Sequence, residues 1–239
     1  MNEAKVSDRL KSNYDGYYED GDSELRRLCA VAKADNIVAL CKDLPRHSVL
    51  EIGAGEGSIL KRLSEVNFGE ELYGLEISST GIRTIQNKGI QRLVECKLYD
   101  GYRVPYEDNK FDIVILSHVV EHLEHPRQLL YEAARVAKYI FVEVPLEDTV
   151  RLKQDFVLDS VGHINYYSPK TIRRLLQSCN LRVLQQVTLN PRKETYAFRS
   201  GFKGLLHYRF KQTLIKTMPR LAPRLLCYNG ALVCEKNPD

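Results

Sequence analysis

Short apolar segments alternate with amphipathic segments through the middle of the chain. The spacing of apolar residues predicts three helices, near 57–66, 79–88 and 125–137. Continuous apolar runs before and after these helices predict five β-strands, at 48–52, 71–77, 92–97, 111–116 and 139–144. Strands that alternate with helices indicate βαβ crossovers. We therefore expect an α/β fold with a doubly wound, mostly parallel sheet.

Further elements lie on both sides of this alternating region. A helical pattern covers 23–43 with Ser23 in the N-cap position, and Ser168-Pro169 begins another helix over about 168–179. Two more apolar runs predict strands at 181–189 and 228–235, so the expected sheet has seven strands. The length of 239 residues fits one domain. We expect a single domain over 1–239, with an N-terminal segment at 1–44, a core at 45–190, an insertion at 192–226 and a final strand at 227–236.

Basic charge is concentrated in the insertion. The chain has a net charge of +4, but residues 192–226 hold nine Lys/Arg and one acid, so the remainder is acidic. Apolar residues recur there at helical spacing and predict an amphipathic basic helix, through Leu206, Phe210, Leu214 and Met218. Three interpretations remain open: the apolar face packs on the core, it contacts an anionic membrane surface, or the segment binds an anionic acceptor. Nucleic acid is not the expected partner, because no RNA-binding module accompanies the charge.

The expected cellular location follows from features that the sequence lacks. No apolar run approaches the length that spans a bilayer, and the polar, acidic N-terminus shows no signal peptide. The six cysteines form no C-x-x-C pair, and several lie in apolar surroundings. A cytoplasmic location is the expectation.

The segment Val49–Ser58 carries the clearest chemical signal. It predicts a buried strand that runs into a loop with glycines at 53, 55 and 57, where the backbone can turn sharply and approach a ligand closely. A dinucleotide-binding G-x-G-x-x-G motif would require a glycine where Ser58 stands. Glu51 would repel a pyrophosphate but suits a ligand with an ammonium and a sulfonium group. The loop therefore favours S-adenosylmethionine over NAD.

Three motifs in order resemble those of class I S-adenosylmethionine-dependent methyltransferases, specifically the small-molecule and ubiquinone-type group. They are the glycine loop, Tyr73–Ser78 and Asp100–Asp112, each at the end of a predicted strand, and the resemblance covers roughly 45–190. It implies a Rossmann-like methyltransferase fold with an N-terminal lid and an insertion before the last strand.

The resemblance also implies a cofactor site. The glycine loop would wrap the methionine part, through Glu51, Gly53, Ala54, Gly55 and Gly57. Glu76 would bind both ribose hydroxyls, and Ile77 would pack on adenine. Asp100, with Gly101, would meet the adenine amino group, and a backbone carbonyl at Ser117 would contact the cofactor amine.

Candidate catalytic residues follow the fourth strand. His118, Glu121 and His122 would face or border the acceptor cavity, with Glu121 in contact with the acceptor. For His122 an equal alternative is a structural role, in which it forms a hydrogen bond with a nearby loop. The same residues read H-x-x-E-H, an inverted zinc-peptidase motif, with the two histidines as metal ligands. That alternative requires a helix that carries both ligands and a third ligand elsewhere, whereas here a new helix begins near His125. We expect no metal.

A second histidine-bearing segment, Gly162–Pro169, resembles a run that relatives place at the rim of the active site. His163 would be a general base, because a pKa near neutrality suits proton removal from a hydroxyl. Its alternative role is to organise the loop. Tyr166 in this run, together with Tyr14 and Tyr18 in the N-terminal lid, would contact the acceptor.

These features predict an enzyme that transfers the methyl group of S-adenosylmethionine in line to an oxygen of a small molecule or a glycan- or lipid-linked acceptor. Two alternatives keep the cofactor site but change the function. One is an RNA methyltransferase that uses the basic insertion. The other is a cofactor-binding protein without catalysis.

Overall fold

A computed structural model describes Val6, Asp15–Gly16, residues 24–156 and residues 162–237. Ser23, Tyr14 and Tyr18, for which the sequence predicted roles, lie outside the described residues. Seven strands form one sheet: β1 Ser48–Ile52, β2 Glu71–Glu76, β3 Leu93–Leu98, β4 Phe111–Ser117, β5 Ala137–Leu146, β6 Leu181–Leu189 and β7 Tyr228–Lys236. The helices are α1 Glu24–Cys41, α2 Ser58–Glu65, α3 Ser79–Asn87, α4 Pro126–Val136, α5 Pro169–Gln177, α6 Lys193–Thr217 and α7 Ala222–Leu225, with a short 3₁₀ helix at Val120–His122.

The sheet has the order β3-β2-β1-β4-β5-β7-β6. Strands β1 to β5 pair in parallel, whereas β7 runs antiparallel to both of its neighbours. The predicted doubly wound, mostly parallel α/β fold is confirmed. The strand order reverses between β1 and β4, and ligands of open α/β sheets bind at the carboxyl ends of the strands beside such a reversal. The glycine loop after β1 and the histidines after β4 therefore meet at the same crevice.

Apolar side chains cover both faces of the sheet. Leu50 and Ile52 of β1 belong to one buried cluster, and their neighbour Val49 belongs to the other, as alternation along a strand requires. All three are fully buried, and each such side chain contributes about 1.5–3 kcal/mol to folding. The sheet is thus a rigid support for the loops at its edge. Within the part of the chain that is described, no helix is long and apolar enough to cross a membrane.

Helix α6 corrects one interpretation of the insertion. Leu206, Phe210 and Met218 are each more than half exposed, so the predicted stripe does not pack on the core there. Only Leu214 of the four packs against the apolar core. Helical spacing predicted the stripe, but the core contacts of α6 come from other positions. Lys211 is one of them: it is 6% exposed, and its Nζ lies 4.5 Å from the ring centre of Tyr228 on β7.

Candidate active site

The glycine loop turns immediately after β1. Gly53, Gly55 and Gly57 all have positive φ, of 74°, 57° and 78°. A Cβ at position 53 would lie 2.6 Å from Val119 Cγ2, so only glycine fits there without a shift. The N–H groups of Gly53 and Ala54 both donate to the Leu75 carbonyl, at 2.8 and 3.0 Å. These bonds fix the loop to the end of β2.

Glu76 organises the backbone where β2 ends. Its side chain is almost completely buried, and Oε2 accepts a hydrogen bond from Gly55 N at 2.7 Å. Oε1 accepts from Ile77 N at 2.9 Å and from Ser78 N at 3.0 Å. Burial raises the pKa of Glu76 although these N–H donors oppose the shift. A carboxylate has about four acceptor positions, so Glu76 retains capacity for ligand hydroxyls.

Asp100 shapes the loop that follows β3. Its Oδ1 accepts from Tyr102 N at 2.8 Å and from Arg103 N at 2.7 Å, which closes a tight turn. Gly101 has a φ of 98°, and a Cβ there would lie 1.9 Å from Val6 Cγ2. The Val6 N–H also donates to the Asp100 carbonyl at 3.1 Å. A residue from the N-terminal segment therefore lies directly on this loop.

One cavity brings several of the predicted residues together. Its wall includes the sequence-predicted residues Gly53, Glu76, Ile77, Gly101, His118 and His122. It also includes residues for which the sequence predicted no role, namely Val6, Tyr99, Val119 and Leu123. Other predicted residues are not part of this wall: Glu51, Ala54, Gly55, Gly57, Asp100, Ser117, Glu121, His163 and Tyr166. Ser117 is buried at the end of β4, and its Oγ has no hydrogen-bond partner among the residues that are described.

His118 lies between two buried carboxylates. Its Nδ1 is 3.3 Å from Glu121 Oε1, and its Nε2 is 3.4 Å from Glu143 Oε1. The backbone at His118 has a φ of 58°, an uncommon conformation for a residue other than glycine, and its N–H donates to the Glu143 carbonyl at 2.8 Å. Burial opposes the charged imidazole, but the two carboxylates outweigh it and raise the pKa of His118. This geometry favours an imidazolium that stabilises buried charge.

Glu143 is held from three sides. It is fully buried, and its oxygens accept hydrogen bonds from Asn36 Nδ2 on α1 and from Asn229 Nδ2 on β7, both at 3.0 Å. Burial alone would raise the pKa of Glu143, but His118 and Asn36 outweigh it and the pKa is lowered. The carboxylate therefore remains ionised beside His118.

His163 and His122 form a second pair, in which His122 belongs to the cavity wall and His163 packs behind it. His163 is 8% exposed, and its Nδ1 lies 2.8 Å from Glu147 Oε2. His122 Nδ1 lies 3.1 Å from the Gly162 carbonyl, and the two imidazole centres are 4.9 Å apart. Burial lowers the pKa of His122. The Tyr166 hydroxyl donates to the His163 carbonyl at 3.4 Å, so this tyrosine supports the histidine segment.

The inverted zinc-peptidase interpretation does not fit this geometry. It requires one helix to present His118 and His122 to a metal. Here His118 precedes a 3₁₀ helix of three residues, and its ring nitrogens face Glu121 and Glu143.

Comparison with known proteins decides the family. A family model described as a methyltransferase domain matches residues 22–186, which is well over half of the chain. The chain belongs to the methyltransferase family. With its glycine loop, strand order and ordered acids, it is a class I S-adenosylmethionine-dependent methyltransferase, as the sequence predicted.

Curated relatives of this methyltransferase act on different atoms. Ubiquinone/menaquinone biosynthesis C-methyltransferase UbiE of Cupriavidus necator is 32% identical over 99 residues, which cover 39% of this chain and 40% of the relative. Ajmaline N-methyltransferase of Rauvolfia serpentina is 28% identical over 132 residues, which cover 49% of this chain and 45% of the relative. The chain thus spans about half the length of the curated relatives it matches.

A solved structure shows the shared fold. Magnesium protoporphyrin IX methyltransferase from Synechocystis, determined with bound S-adenosylhomocysteine, has a TM-score of 0.61 with this methyltransferase. The sequences are 17% identical, and the match covers 96% of this chain and 95% of the other.

S-adenosylmethionine fits the charge of the methyltransferase pocket. Glu51 is 1% exposed, and its Oε2 has no hydrogen-bond partner among the described residues. Burial, reinforced by the charge of Glu76, raises the pKa of Glu51 well above its usual value. A cation stabilises such a buried carboxylate, and the cofactor carries both a sulfonium and an ammonium group.

Sequence reasoning missed several residues of this methyltransferase site. Asn36 and Asn229 are 107 and 86 positions from Glu143, so no local pattern could connect them. Glu147 does carry a signal, because it is an acid just beyond a buried strand, as Glu76 and Asp100 are at the ends of theirs. Val6 carries none.

Proposed function

We propose that this methyltransferase transfers the methyl group of S-adenosylmethionine to a hydroxyl oxygen of a small molecule or a glycan- or lipid-linked acceptor. The observation that carries the proposal is the pair of imidazoles beside the cofactor pocket, of which His163 is buried and His122 is half-buried. Nδ1 of His163 is engaged by Glu147, and Nδ1 of His122 by the Gly162 carbonyl. In the neutral form of either ring, Nε2 is then the nitrogen that takes up a proton. An acceptor hydroxyl must lose its proton, and these nitrogens equip the site for that step.

The cofactor contacts in this proposal follow the family resemblance, and the geometry of Glu76 supports them. Glu76 binds the ribose hydroxyls, with its carboxylate already oriented by three backbone N–H groups. Ile77 packs on adenine, while the turn at Asp100 and Gly101 borders the adenine amino group. Glu51 and the glycine loop, with Ala54, Gly55 and Gly57, surround the methionine part, and the Ser117 carbonyl meets its amine.

The bound cofactor supplies an electrophilic methyl carbon on a sulfonium. An acceptor oxygen held in line with the carbon–sulfur bond would take the methyl group, and the electron pair of the broken bond would stay on sulfur. The chain contributes mainly by holding the acceptor in this geometry, which can supply roughly 7–11 kcal/mol of the acceleration. His118 stabilises the charge of Glu121 and Glu143 and so keeps the pocket wall fixed.

The N-terminal segment covers this site as a lid in our proposal. Val6 lies in the cavity wall, and Asp15 Oδ1 accepts a hydrogen bond from Ser78 Oγ at 2.7 Å at the start of α3. Both contacts support a lid that excludes water. Tyr166, which bonds to the His163 carbonyl, contacts the acceptor in this proposal. The predicted contacts of Tyr14 and Tyr18 fall outside the described residues and stay predictions.

A lipid-linked acceptor is favoured by the surface near the site. Phe202 and Phe210 on α6 are 74% and 59% exposed among basic side chains. The loop after β5, which leads to His163, exposes Val150 and Phe156. Val150 N donates to the Arg224 carbonyl at 2.9 Å, so the loop and the basic segment adjoin. Aromatic and basic groups together suit an anionic lipid surface. The basic charge would also attract RNA, but RNA binding would not bury these exposed apolar side chains.

Transfer from radiolabelled S-adenosylmethionine tests the proposal. The protein is incubated with separate lipid and polar extracts, and the labelled product is identified by mass spectrometry. A methyl ether or ester in either extract supports it, whereas exclusive N- or C-methylation contradicts the oxygen acceptor. Label in purified tRNA alone would favour the RNA alternative. Micromolar binding of S-adenosylhomocysteine without turnover on any extract would favour the non-catalytic alternative.

A further inference from the structure

We propose that Glu121, His122 and His163 form a binding site for a divalent transition-metal ion beside the cofactor pocket, whose wall includes His122. The inference deepens the proposed function and rests on it in one respect, that the ion would bind the acceptor hydroxyl. Each residue offers one ligand atom, and these three atoms lie within 4.8 Å of one another. Metal–ligand bonds of about 2.1 Å place tetrahedral ligand atoms about 3.4 Å apart, so shifts of about 1 Å close the site.

Both imidazoles are oriented as metal ligands usually are. His163 Nδ1 is 2.8 Å from the Glu147 carboxylate, and His122 Nδ1 is 3.1 Å from the Gly162 carbonyl. Ligating histidines typically donate one ring N–H to a carboxylate or a backbone carbonyl, which fixes the tautomer and directs the other nitrogen to the metal. Here the Glu147 carboxylate accepts from His163, and the Gly162 carbonyl accepts from His122.

Glu121 supplies the independent observation. It is fully buried, yet neither carboxylate oxygen has a hydrogen-bond partner among the described residues. A buried carboxylate without donors is costly, and His118 at 3.3 Å provides charge but not hydrogen-bond geometry. A metal ion on the other side of the carboxylate would complete its coordination.

The backbone holds the two ligand-bearing segments together. The Glu121 carbonyl accepts hydrogen bonds from Ile164 N and Asn165 N, both at 3.0 Å. The Asn165 side chain donates to the Leu123 carbonyl at 2.7 Å. The 3₁₀ helix that carries Glu121 and His122 is therefore fixed to the segment that carries His163. A prearranged site of this kind does not need folding to be coupled to metal binding.

The donor set indicates which ion would bind. Two imidazoles and one carboxylate suit Zn²⁺, Fe²⁺, Co²⁺ or Mn²⁺ better than Mg²⁺ or Ca²⁺, which prefer oxygen ligands. This set is not the H-x-x-E-H motif, because His163 replaces His118 as the second imidazole.

Three protein ligands leave a position for the acceptor. A hydroxyl bound there has a lowered pKa and releases its proton to bulk water, while its oxygen keeps the electron pair that forms the bond to the methyl carbon. His163 then binds the ion instead of accepting the proton. In this arrangement the ion performs the ionisation that the sequence assigned to a general base.

Cobalt titration of the full chain tests the site. Protein freed of metal by chelator dialysis is titrated with CoCl₂ and followed by visible absorption, which reports low-coordinate Co²⁺ with imidazole ligands. We expect one equivalent to bind. Zn²⁺ should displace it, whereas Mg²⁺ at the same concentration should not. Absence of low-coordinate bands up to millimolar Co²⁺ would overturn the proposal.

Matched variants locate the ligands. His163→Ala and His122→Ala should each weaken Co²⁺ binding by more than 100-fold, and Glu147→Gln by about 10–100-fold because only orientation is lost. His125→Ala, an exposed histidine on the same loop, should bind as the wild type does. Unchanged affinity in His163→Ala would contradict the site. Retained S-adenosylhomocysteine binding by His163→Ala shows that the variant is folded.

The cobalt readout needs no acceptor, so it separates this inference from the proposed function. Cobalt binding at these ligands with methyl transfer to nitrogen or carbon would support the metal site and refute the oxygen acceptor. Methyl ether formation that is undiminished in chelator-treated protein would refute the metal's role and leave the oxygen acceptor intact.

Discussion

The Gly55 N–H donates to Glu76 Oε2 at 2.7 Å, so the glycine loop after β1 and the acid at the end of β2 form one unit. Ile77 N and Ser78 N bind the other oxygen of the same carboxylate. Glu76 therefore fixes the loop and also lines the cavity. This coupling means that a change at Glu76 alters the loop as well as the ribose contact that we propose.

Glu76→Gln tests that coupling. The amide keeps the size of the side chain but presents an NH₂ to backbone donors, so the loop loses at least one hydrogen bond. Loss of a charge-assisted bond costs about 1.5–3 kcal/mol, which is about a 10–100-fold loss of affinity. We expect this loss for S-adenosylhomocysteine in calorimetric titration. Glu70→Gln, at an exposed position just before the same strand, is the control. Equal affinity in both variants would refute the role of Glu76.

Gly53→Ala tests the close approach between the loop and the residue after His118. A Cβ at Gly53 would meet Val119 Cγ2 at 2.6 Å with φ at 74°. Gly89 has φ at 63° but nothing within 4 Å of a Cβ, so Gly89→Ala reports backbone strain alone, about 1–2 kcal/mol. Overpacking adds about 1–3 kcal/mol, so we expect Gly53→Ala to lower the free energy of unfolding further. Urea denaturation measures the free energy of unfolding of both variants. Equal decreases would show that the Val119 side chain moves aside at no cost.

Glu132 and Arg135 connect α4 to the loop of Asp100. Arg135 binds both oxygens of Glu132 at 2.8 Å and donates to the carbonyls of Val104 and Tyr106 at 2.9 and 2.8 Å. The Arg135 guanidinium holds the pKa of Glu132 below its usual value of 4.5, with a further contribution from Val104 N–H. The loop that follows Asp100 thus depends on this ion pair.

The lowered pKa makes the stability contribution of Glu132 depend on pH. A carboxyl whose pKa is lower in the folded state stabilises fully above the unfolded value of 4.5 and loses that contribution as pH falls through the folded value. We therefore expect Glu132→Gln to be less stable than wild type at neutral pH, with the difference shrinking below pH 4.5. Glu124→Gln, at an exposed position, should show no such convergence in urea denaturation. A difference that is constant with pH would contradict the assignment.

Local pattern sufficed for the strands and the cofactor loops. The predicted strand at 48–52 matches β1, Glu76 is the last residue of β2, and Asp100 lies just after β3. Local pattern can predict these positions because apolar runs and turn residues are short-range signals. The partners of Glu143 were beyond such reasoning, since Asn36 and Asn229 meet it only after α1 and β7 have packed. Tertiary contacts of this kind depend on the whole fold.

The insertion shows a different limit. The spacing of Leu206, Phe210, Leu214 and Met218 correctly indicated a helix with an apolar face. When charged residues lie on all sides of a helix, the spacing of its apolar residues does not indicate which face packs on the core. Lys211 is buried against Tyr196 and Tyr228, with its Nζ 4.5 Å from the Tyr228 ring centre. That contact turns three of the four apolar residues to the surface.

Vesicle binding tests the meaning of this exposed face. We expect the protein to co-sediment with vesicles that contain phosphatidylglycerol and not with pure phosphatidylcholine, because each Lys or Arg near an anionic surface contributes about 1 kcal/mol. Phe202→Ser with Phe210→Ser should weaken binding at least 10-fold, since insertion of each ring contributes about 1.5–3 kcal/mol. Leu98→Ser, which removes a 57% exposed apolar residue on β3, is the matched control. If the aromatic variant binds as tightly as the control, the rings do not insert, and the lipid-linked acceptor loses its structural support.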